Sequence, residues 1–322
     1  MLATSRFKDL KTYSQSFQPT PGTSFTLFHV NVRSLHKHWD EFRLVINSVL
    51  PIADAFVLTE INIRSEDIEM FSLPGFSSCF RTRENKRGGG IAVFLKTSLL
   101  YSEITVSFLT CESVALHILT SMYDLYLLVF YRPPSESVAN FLTELRNCLQ
   151  SLPVNATLCL TGDINIDLMK PSKSLVCEYL TLLSDYGVEP TILDPTREEF
   201  LSGTLVSSSI DQINLIRAPT STTQSAIITE KLSDHYFVAC HLEFPGKAPI
   251  NSRTDIRRVE IIDPNTFDGF ISNYNWGAFQ AFVNPTEIYN SFVDIFTRFS
   301  DASKKVIYLK KRNTNHIYIY DG

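Results

Sequence analysis

No stretch of this chain is long and apolar enough to be read as a membrane-spanning helix. Met1 to Gly22 also lacks the apolar heart of a signal peptide. The expectation is an intracellular protein, nuclear or cytoplasmic. Cysteine is scarce: Cys79, Cys111, Cys148, Cys159, Cys177 and Cys240 form no Cys-x-x-Cys, and most sit inside apolar runs. That excludes a zinc ribbon and a disulfide framework, and favours free thiols in a reducing compartment. Gly88-Gly89-Gly90 lacks the Lys-Ser/Thr of a P-loop, so no nucleotide-cradling loop is present. There is no internal repeat and no low-complexity segment. An excess of positive charge is missing too. Residues 1–243 hold 19 Lys+Arg against 26 Asp+Glu, and the remainder 10 against 8. An acidic main domain argues against tight, sequence-independent binding to nucleic acid, but leaves room for a local basic face.

What is there is ordinary globular material, 322 residues that are 44% hydrophobic and 20% charged, enough for one large α/β domain and an appendage. Residues 1–23 read as a flexible leader, 24–244 as the main domain, 245–255 as a linker and 256–322 as a helical extension. In the main domain, strands are expected over 25–30, 53–59, 76–83, 91–95, 114–119, 125–131, 156–162, 210–216 and 236–244. Ser34 caps a helix whose apolar face is Leu35, Trp39, Phe42, Ile46 and Val49. Further helices are expected over 137–150 and 174–186. Strands come in pairs and clusters with single helices between. That pattern predicts a four-layer α/β/β/α sandwich: two packed mixed sheets flanked by helices.

Polar residues recur where the apolar runs stop: Asn31, Glu60, Tyr131, Asp163 with Asn165, Asp211, and Ser233-Asp234-His235. Side chains gathered from many strand ends are how an α/β scaffold builds an active site. Asp163 and Asn165, two apart in Gly-Asp-Ile-Asn, can face one pocket. Glu60 and Asp234 are hard oxygen donors suited to Mg²⁺. His235 with a carboxylate such as Asp211 makes an oriented imidazole. His36 and His38 beside Asp40 and Glu41 read as a solvated helix face, and His117 as a structural strand residue.

This ordered series, with His29-Val-Asn-Val-Arg-Ser-Leu35, Arg87-Gly-Gly-Gly-Ile-Ala92 and Tyr131-Arg-Pro-Pro134, resembles the endonuclease/exonuclease/phosphatase superfamily. It is closest in wording to the apurinic-endonuclease-like domain of non-LTR (LINE-type) retrotransposons. The resemblance spans about residues 25–244 and implies metal-dependent nicking of DNA to leave a 3′-hydroxyl. It implies Mg²⁺ as cofactor, with Mn²⁺ as a substitute, and DNA as partner. Glu60, Asn31 and Asp234 would serve the metal, and Tyr131 and Asn165 the scissile phosphate. Asp163 would orient or deprotonate water. His235 would stabilise the transition state, with Asp211 fixing its tautomer. Thr196 and Ser233 take lesser hydrogen-bonding positions. Which of Asp163 and His235 is the general base stays open. A phosphatase, an RNA 3′-exonuclease or a non-catalytic relic that only binds nucleic acid or a partner stays open as an alternative.

Two departures from the family pattern are Ile61 after Glu60 and Ile164 inside Gly-Asp-Ile-Asn. The cluster Arg81, Arg83, Lys86 and Arg87 is a candidate DNA-phosphate contact or a solvated hairpin tip. Residues between Thr196 and Ser209, with Gly203 near the middle, suggest a protruding hairpin. The resemblance places it beside the cut, probing DNA shape. Beyond Phe244, Ile288, Phe292, Ile295, Phe296 and Phe299 form an apolar stripe at helical spacing. Lys304, Lys305, Lys310, Lys311 and Arg312 read as the polar end of a helix. A LINE-type protein would continue into a reverse transcriptase, for which this sequence leaves no room, so the expectation is an endonuclease fragment or a solo, decayed copy.

Overall fold

The computed structural model describes residues 4–16, 19, 23–83, 88–120, 123–153, 156–216, 223–244, 255–281, 284–311 and 317–321. They fall into two units, Met1–Lys247 and Ala248–Gly322. The first unit opens with β1 (Thr4–Phe7), α1 (Leu10–Ser16), β2 (Ser24–Asn31), α2 (Leu35–Val45), β3 (Ala55–Thr59), β4 (Phe76–Arg81) and β5 (Ile91–Lys96). It continues with β6 (Leu100–Glu103), β7 (Glu112–Leu119), β8 (Asp124–Tyr131), α3 (Val138–Ser151), β9 (Thr157–Asp163) and α4 (Ser174–Asp185). It closes with β10 (Glu189–Pro190), β11 (Arg197–Leu201), β12 (Thr204–Ser208), β13 (Asp211–Ile216), β14 (Gln224–Lys231) and β15 (Tyr236–Glu243).

One sheet has seven strands in the order β1-β14-β15-β2-β3-β5-β4, and the other six in the order β10-β13-β9-β8-β7-β6. The two sheets face each other across a core that includes Leu27, Val57, Val93, Val129, Cys159 and Ile213. The outer face of the first sheet carries α1 and α2 over Phe28, Val30 and Phe56. The second carries α3 and α4 over Leu128, Leu158 and Leu160. The result is the four-layer α/β/β/α sandwich. Each central strand is covered on both faces, so β2 is buried along its whole length and reads as a run rather than an alternation. Helix α2 forms because Ser34 accepts from the Lys37 N–H at its start and Leu35, Trp39 and Phe42 share one face. Each such aromatic contributes about 1.5–3 kcal/mol on burial, so Phe42→Ala would remove a main anchor of that layer.

The expected flexible leader over 1–23 needs correction. Residues Thr4–Phe7 pair in parallel with β14, and α1 buries Leu10 and Tyr13 completely. Two apolar side chains three apart suffice to anchor a short helix, and the edge of β14 supplies the backbone partners. The Leu10 N–H also donates to the Glu230 carboxylate at 2.9 Å.

The second unit comprises β16 (Asp255–Ile262), α5 (Pro264–Asn273), α6 (Pro285–Ala302), β17 (Lys304–Lys311) and β18 (Ile317–Asp321). Expected to be helical, it is mixed: α6 carries the aromatic stripe, with Phe292 and Phe296 in ring contact at 4.3 Å, and a three-stranded β16-β17-β18 sheet accompanies it. The segment Lys304-Lys-Val-Ile-Tyr-Leu-Lys-Lys311, read as a helix end, is a strand because its centre is β-branched and aromatic. The proposed linker falls almost wholly outside the described residues. No described helix is long and apolar enough to cross a membrane.

Candidate active site

Register brings the site together. β8 and β9 pair in parallel with Tyr131 opposite Asp163, and β9 pairs antiparallel with β13 so that Asp163 faces Asp211. β7 adds Glu112 opposite Tyr131, making one row of four polar residues at the sheet's edge. On the other sheet, β2 ends at Asn31 opposite Thr59, and Glu60 follows at once. His235 stands immediately before β15. These are the ends where buried runs stop, so polar side chains meet there without disturbing the core. Gly162 allows the close approach of β9 to β8, since a Cβ there would overlap the Phe130 carbonyl oxygen. Glu60 and Asn165 both adopt left-handed backbone, at φ 51° each, a costly conformation that re-aims a side chain at a strand end.

Asn31 is the bridge between the sheets. Its amide donates to Glu60 Oε1 at 2.9 Å and to Asp163 Oδ2 at 2.8 Å. Asp163 Oδ1 accepts from the Asn165 N–H at 3.1 Å. Burial, reinforced by the facing Asp211 charge, pushes Asp163 up to about 7. Asp211 accepts from His235 Nδ1 at 2.8 Å and from the Thr196 hydroxyl at 2.8 Å. Burial works against an ionised Asp211, but the imidazole charge and its hydrogen bond hold its carboxyl below the usual range. Burial likewise works against an imidazolium, yet the Asp211 charge and hydrogen bond carry His235 up to about 9. Nδ1 is thereby fixed as the nitrogen that faces Asp211, leaving Nε2 for other work. Ser233 ties the loop together by donating to the Asn31 carbonyl at 2.7 Å while accepting from the His235 N–H.

Tyr131 hydrogen-bonds Glu60, and burial with the Glu60 charge raises its phenol. Arg83 lies over the Tyr131 ring at 5.9 Å and pairs with Glu112. Gly89, at φ 86°, makes room for both: a Cβ there would come within 3.1 Å of the ring and closer still to the guanidinium. Arg81 pairs with Glu103 at the exposed edge of β4. Lys86 and Arg87 lie outside the described residues.

Asp234 is placed differently from the other carboxylates. Arg33 grips it with two hydrogen bonds at 2.8 and 2.7 Å, and Arg197 adds one at 2.6 Å. Burial opposes, but those bonds hold its carboxyl far below the usual range. Arg33 also comes within 3.8 Å of Glu60. Arg33 lies in the His29–Leu35 motif and Arg197 164 positions later, so nothing in the sequence joins the two. His29, which opens that motif and has no role assigned from sequence, is also part of the site. Its Nε2 meets the Thr59 hydroxyl at 3.1 Å and its Nδ1 lies 4.0 Å from Asp211, while burial lowers it to about 4 and keeps it neutral.

Two groupings could hold a cation. Asp163, Asp211 and His235 offer ligand atoms within 4.8 Å of one another. Asp211 and His235 are already spent on a hydrogen bond, so that trio suits proton handling better than a metal cage. Glu60 and Asp163, drawn together by the Asn31 amide that donates to both, are two hard carboxylate donors of the kind a divalent cation takes, and their crowded charge is what such an ion would relieve. His36, exposed on helix α2, pairs with Asp67, and His38, half-buried, pairs with Glu41.

No family model matches the chain, and no curated protein sequence matches it. Solved structures do. The endonuclease domain of TRAS1, a telomere-specific non-LTR retrotransposon, superposes with a TM-score of 0.55 at 14% identity, over 68% of this chain and 99% of that one. An endonuclease/exonuclease/phosphatase family protein from Bacteroides thetaiotaomicron gives 0.52 at 16% identity, over 71% and 99%. A 3′-5′ exonuclease from Neisseria meningitidis gives 0.53 at 15%, over 68% and 100%. By the architecture these structures share, the chain has the endonuclease/exonuclease/phosphatase fold.

Proposed function

We propose that the chain is a Mg²⁺-dependent DNA endonuclease that hydrolyses one phosphodiester and leaves a 3′-hydroxyl. The observation that carries this reading is the meeting of a tautomer-fixed imidazole, His235 on Asp211 at 2.8 Å, with a carboxylate poised near neutrality, Asp163. A phosphate at this edge is received by donors from separate strand ends: Asn165, Tyr131 and His235. Asp163, near 7, takes a proton from the attacking water. His235, near 9, remains an imidazolium over the same range and donates from Nε2 to the phosphoryl oxygens as their charge grows. The water oxygen bonds to phosphorus and the bond to O3′ breaks. O3′ leaves with the electron pair and takes a proton from solvent. Mg²⁺, or Mn²⁺ in its place, would be held by Glu60 beside Asn31 and would supply Lewis-acid stabilisation of that charge. Asp234, gripped by Arg33 and Arg197, supports the site through its charge.

The retrotransposon endonuclease among the structural relatives supports the endonuclease assignment. The relative named a 3′-5′ exonuclease supports a second reading, in which the same site trims ends. Supercoiled plasmid separates them. The endonuclease gives open circles with Mg²⁺, none with EDTA, and none with Asp163→Ala, and a DNA polymerase extends the nicks directly. Shortening of linear DNA with no open circles would favour the exonuclease. No cleavage of either substrate by the wild-type protein would overturn both.

A further inference from the structure

The chemistry above makes no use of the residue after Tyr131. Arg132 is 1% exposed and heads the fully buried side chains in size. All its side-chain hydrogen bonds go to backbone carbonyls: Nε to Ile164 at 2.7 Å, Nη2 to Asn165 at 2.8 Å, and Nη1 to Pro133 at 3.1 Å and Glu136 at 2.6 Å. Its own N–H donates to the Asp163 carbonyl at 3.0 Å. Three successive carbonyls, those of Asp163, Ile164 and Asn165, thus accept from this one residue. The Asn165 amide returns the contact, donating to the Arg132 carbonyl at 2.9 Å.

Burying a guanidinium against neutral partners costs several kcal/mol, which an apolar residue of similar size would avoid. The planar fork does what no apolar side chain can. It reaches the carbonyls of two consecutive residues at once, from behind a turn whose Asn165 sits at φ 51°. That turn carries both Asp163 and Asn165. Burial lowers the guanidinium's hold on its proton, and the Asp163 charge works against that.

We propose that Arg132 is a positioning residue, whose backbone N–H and guanidinium together hold the Asp163–Asn165 turn in the conformation that aims both side chains into one pocket. The part concerning catalysis rests on the nuclease reading; the part concerning the turn does not. Arg132→Lys keeps the charge and loses the fork. In a variant that keeps the wild-type circular dichroism spectrum, kcat is expected to fall about 10²-fold, as for a small misplacement of reacting groups, with KM within threefold. Adding Asn165→Ala to Arg132→Lys should cost much less than Asn165→Ala costs alone. Hydrogen exchange reads the turn without any activity. The Asn165 amide, bonded to Asp163 Oδ1, should exchange at least tenfold faster in the variant while β8 and β13 amides hold their rates. A folded Arg132→Lys with kcat within threefold of wild type would overturn the catalytic part. Exchange raised equally across β8, β9 and β13 would show a merely structural arginine. If the wild type cleaves nothing, the nuclease reading fails and exchange alone decides the turn. If the lysine variant does not fold, the wild-type protein still answers. Its Arg132 Nε–H and the Ile164 and Asn165 amides should exchange through one shared opening, and separate openings would sink the proposal.

Discussion

Asp163 and Asp211 stand directly opposite each other at the edge of the antiparallel β9–β13 pair, both fully buried. Two like charges on facing residues cannot both be relieved by one imidazole. His235 bonds Asp211, so burial and the neighbouring charge fall on Asp163, which rises to about 7. The pair titrates as a unit with His235, and the rate should follow. kcat/KM is expected to climb as Asp163 loses its proton, at a pH that bound Mg²⁺ brings below the metal-free value of about 7, and to fall again through about 9, where His235 loses its own. Asp211→Asn removes both the like charge and the imidazole's partner. It should lower both limbs of the bell and reduce the maximum by about 10²–10⁴-fold. A profile flat from pH 6 to 10 would contradict this division of labour.

The same groups govern stability of the metal-free protein. Asp163 holds its proton higher in the folded state than in the unfolded chain, so its contribution is complete at low pH and is lost as pH rises through about 7. His235 is also raised, so its contribution is complete below its ordinary value near 6.5 and is lost as pH rises through about 9. Asp234 is depressed and acts in the opposite sense, losing its contribution only on strong acidification. Urea midpoints of the metal-free protein should therefore decline from pH 5 to 9. Asp163→Asn should flatten the stretch below 7, and His235→Gln the stretch above it. Mg²⁺, by favouring ionised Asp163, should flatten the lower stretch as well. Midpoints that rise with pH over this range would reverse the signs.

Much of the site was legible because the strands that carry it are buried on both faces. An apolar run that stops at Asn31, Tyr131 or Asp163 marks a sheet edge, and side chains of many edges share one rim. Residue types offered His235 a carboxylate such as Asp211, and the family resemblance made that partner specific. Other features depend on charge balance or contacts that a sequence does not display. Asp163 and His235 both look like bases, and only the facing Asp211 separates them. Arg132 enters the sequence reading only inside Tyr131-Arg-Pro-Pro134, and since an arginine after a strand is usually solvated, its burial becomes visible only with the turn folded behind it. β14 was missed because Gln224-Ser-Ala-Ile-Ile-Thr-Glu-Lys231 offers just two large apolar residues.

The grip of Arg33 and Arg197 on Asp234 yields a test of which carboxylate serves the cation. Glu60, with Asn31 beside it, offers oxygen to an incoming ion, whereas both Asp234 oxygens already accept from guanidinium groups. Glu60→Gln is expected to raise the Mg²⁺ concentration for half-maximal cleavage at least tenfold. Asp234→Asn should move it less than threefold. Freed of Asp234, the two guanidiniums can meet DNA phosphates, and each new contact steepens the salt dependence of binding by about 0.9 in log–log slope. A large shift in Mg²⁺ requirement with Asp234→Asn would return that residue to the metal.

Target choice should reside in the hairpin β11–β12. Its turn places Ser202 and Gly203 in left-handed backbone, at φ 50° and 82°, the arrangement of a two-residue turn matched to strand twist. Near the tip, Phe200 faces Leu205 across the ladder, and both stand open to solvent at 76% and 49% exposure. Its base is joined to the catalytic segment: Arg197 bridges to His235, the Glu198 N–H donates to the Asp234 carbonyl, and Tyr236 donates to Glu198 at 2.5 Å. The hairpin is therefore a projection with apolar side chains near its tip and a base fixed beside the reacting groups. An acidic domain gains little from phosphate contacts alone, so sequence-dependent groove width and step flexibility are what such a projection can read. Phe200→Ser with Leu205→Ser, and separately a shortening within 199–206 that leaves Arg197 and Glu198 in place, should redistribute the nicks mapped on a plasmid. The Mg²⁺ requirement should not change, because Glu60 and Asn31 lie on other elements. A passive surface hairpin predicts the wild-type cleavage map with either variant, and that map would remove the hairpin from target selection.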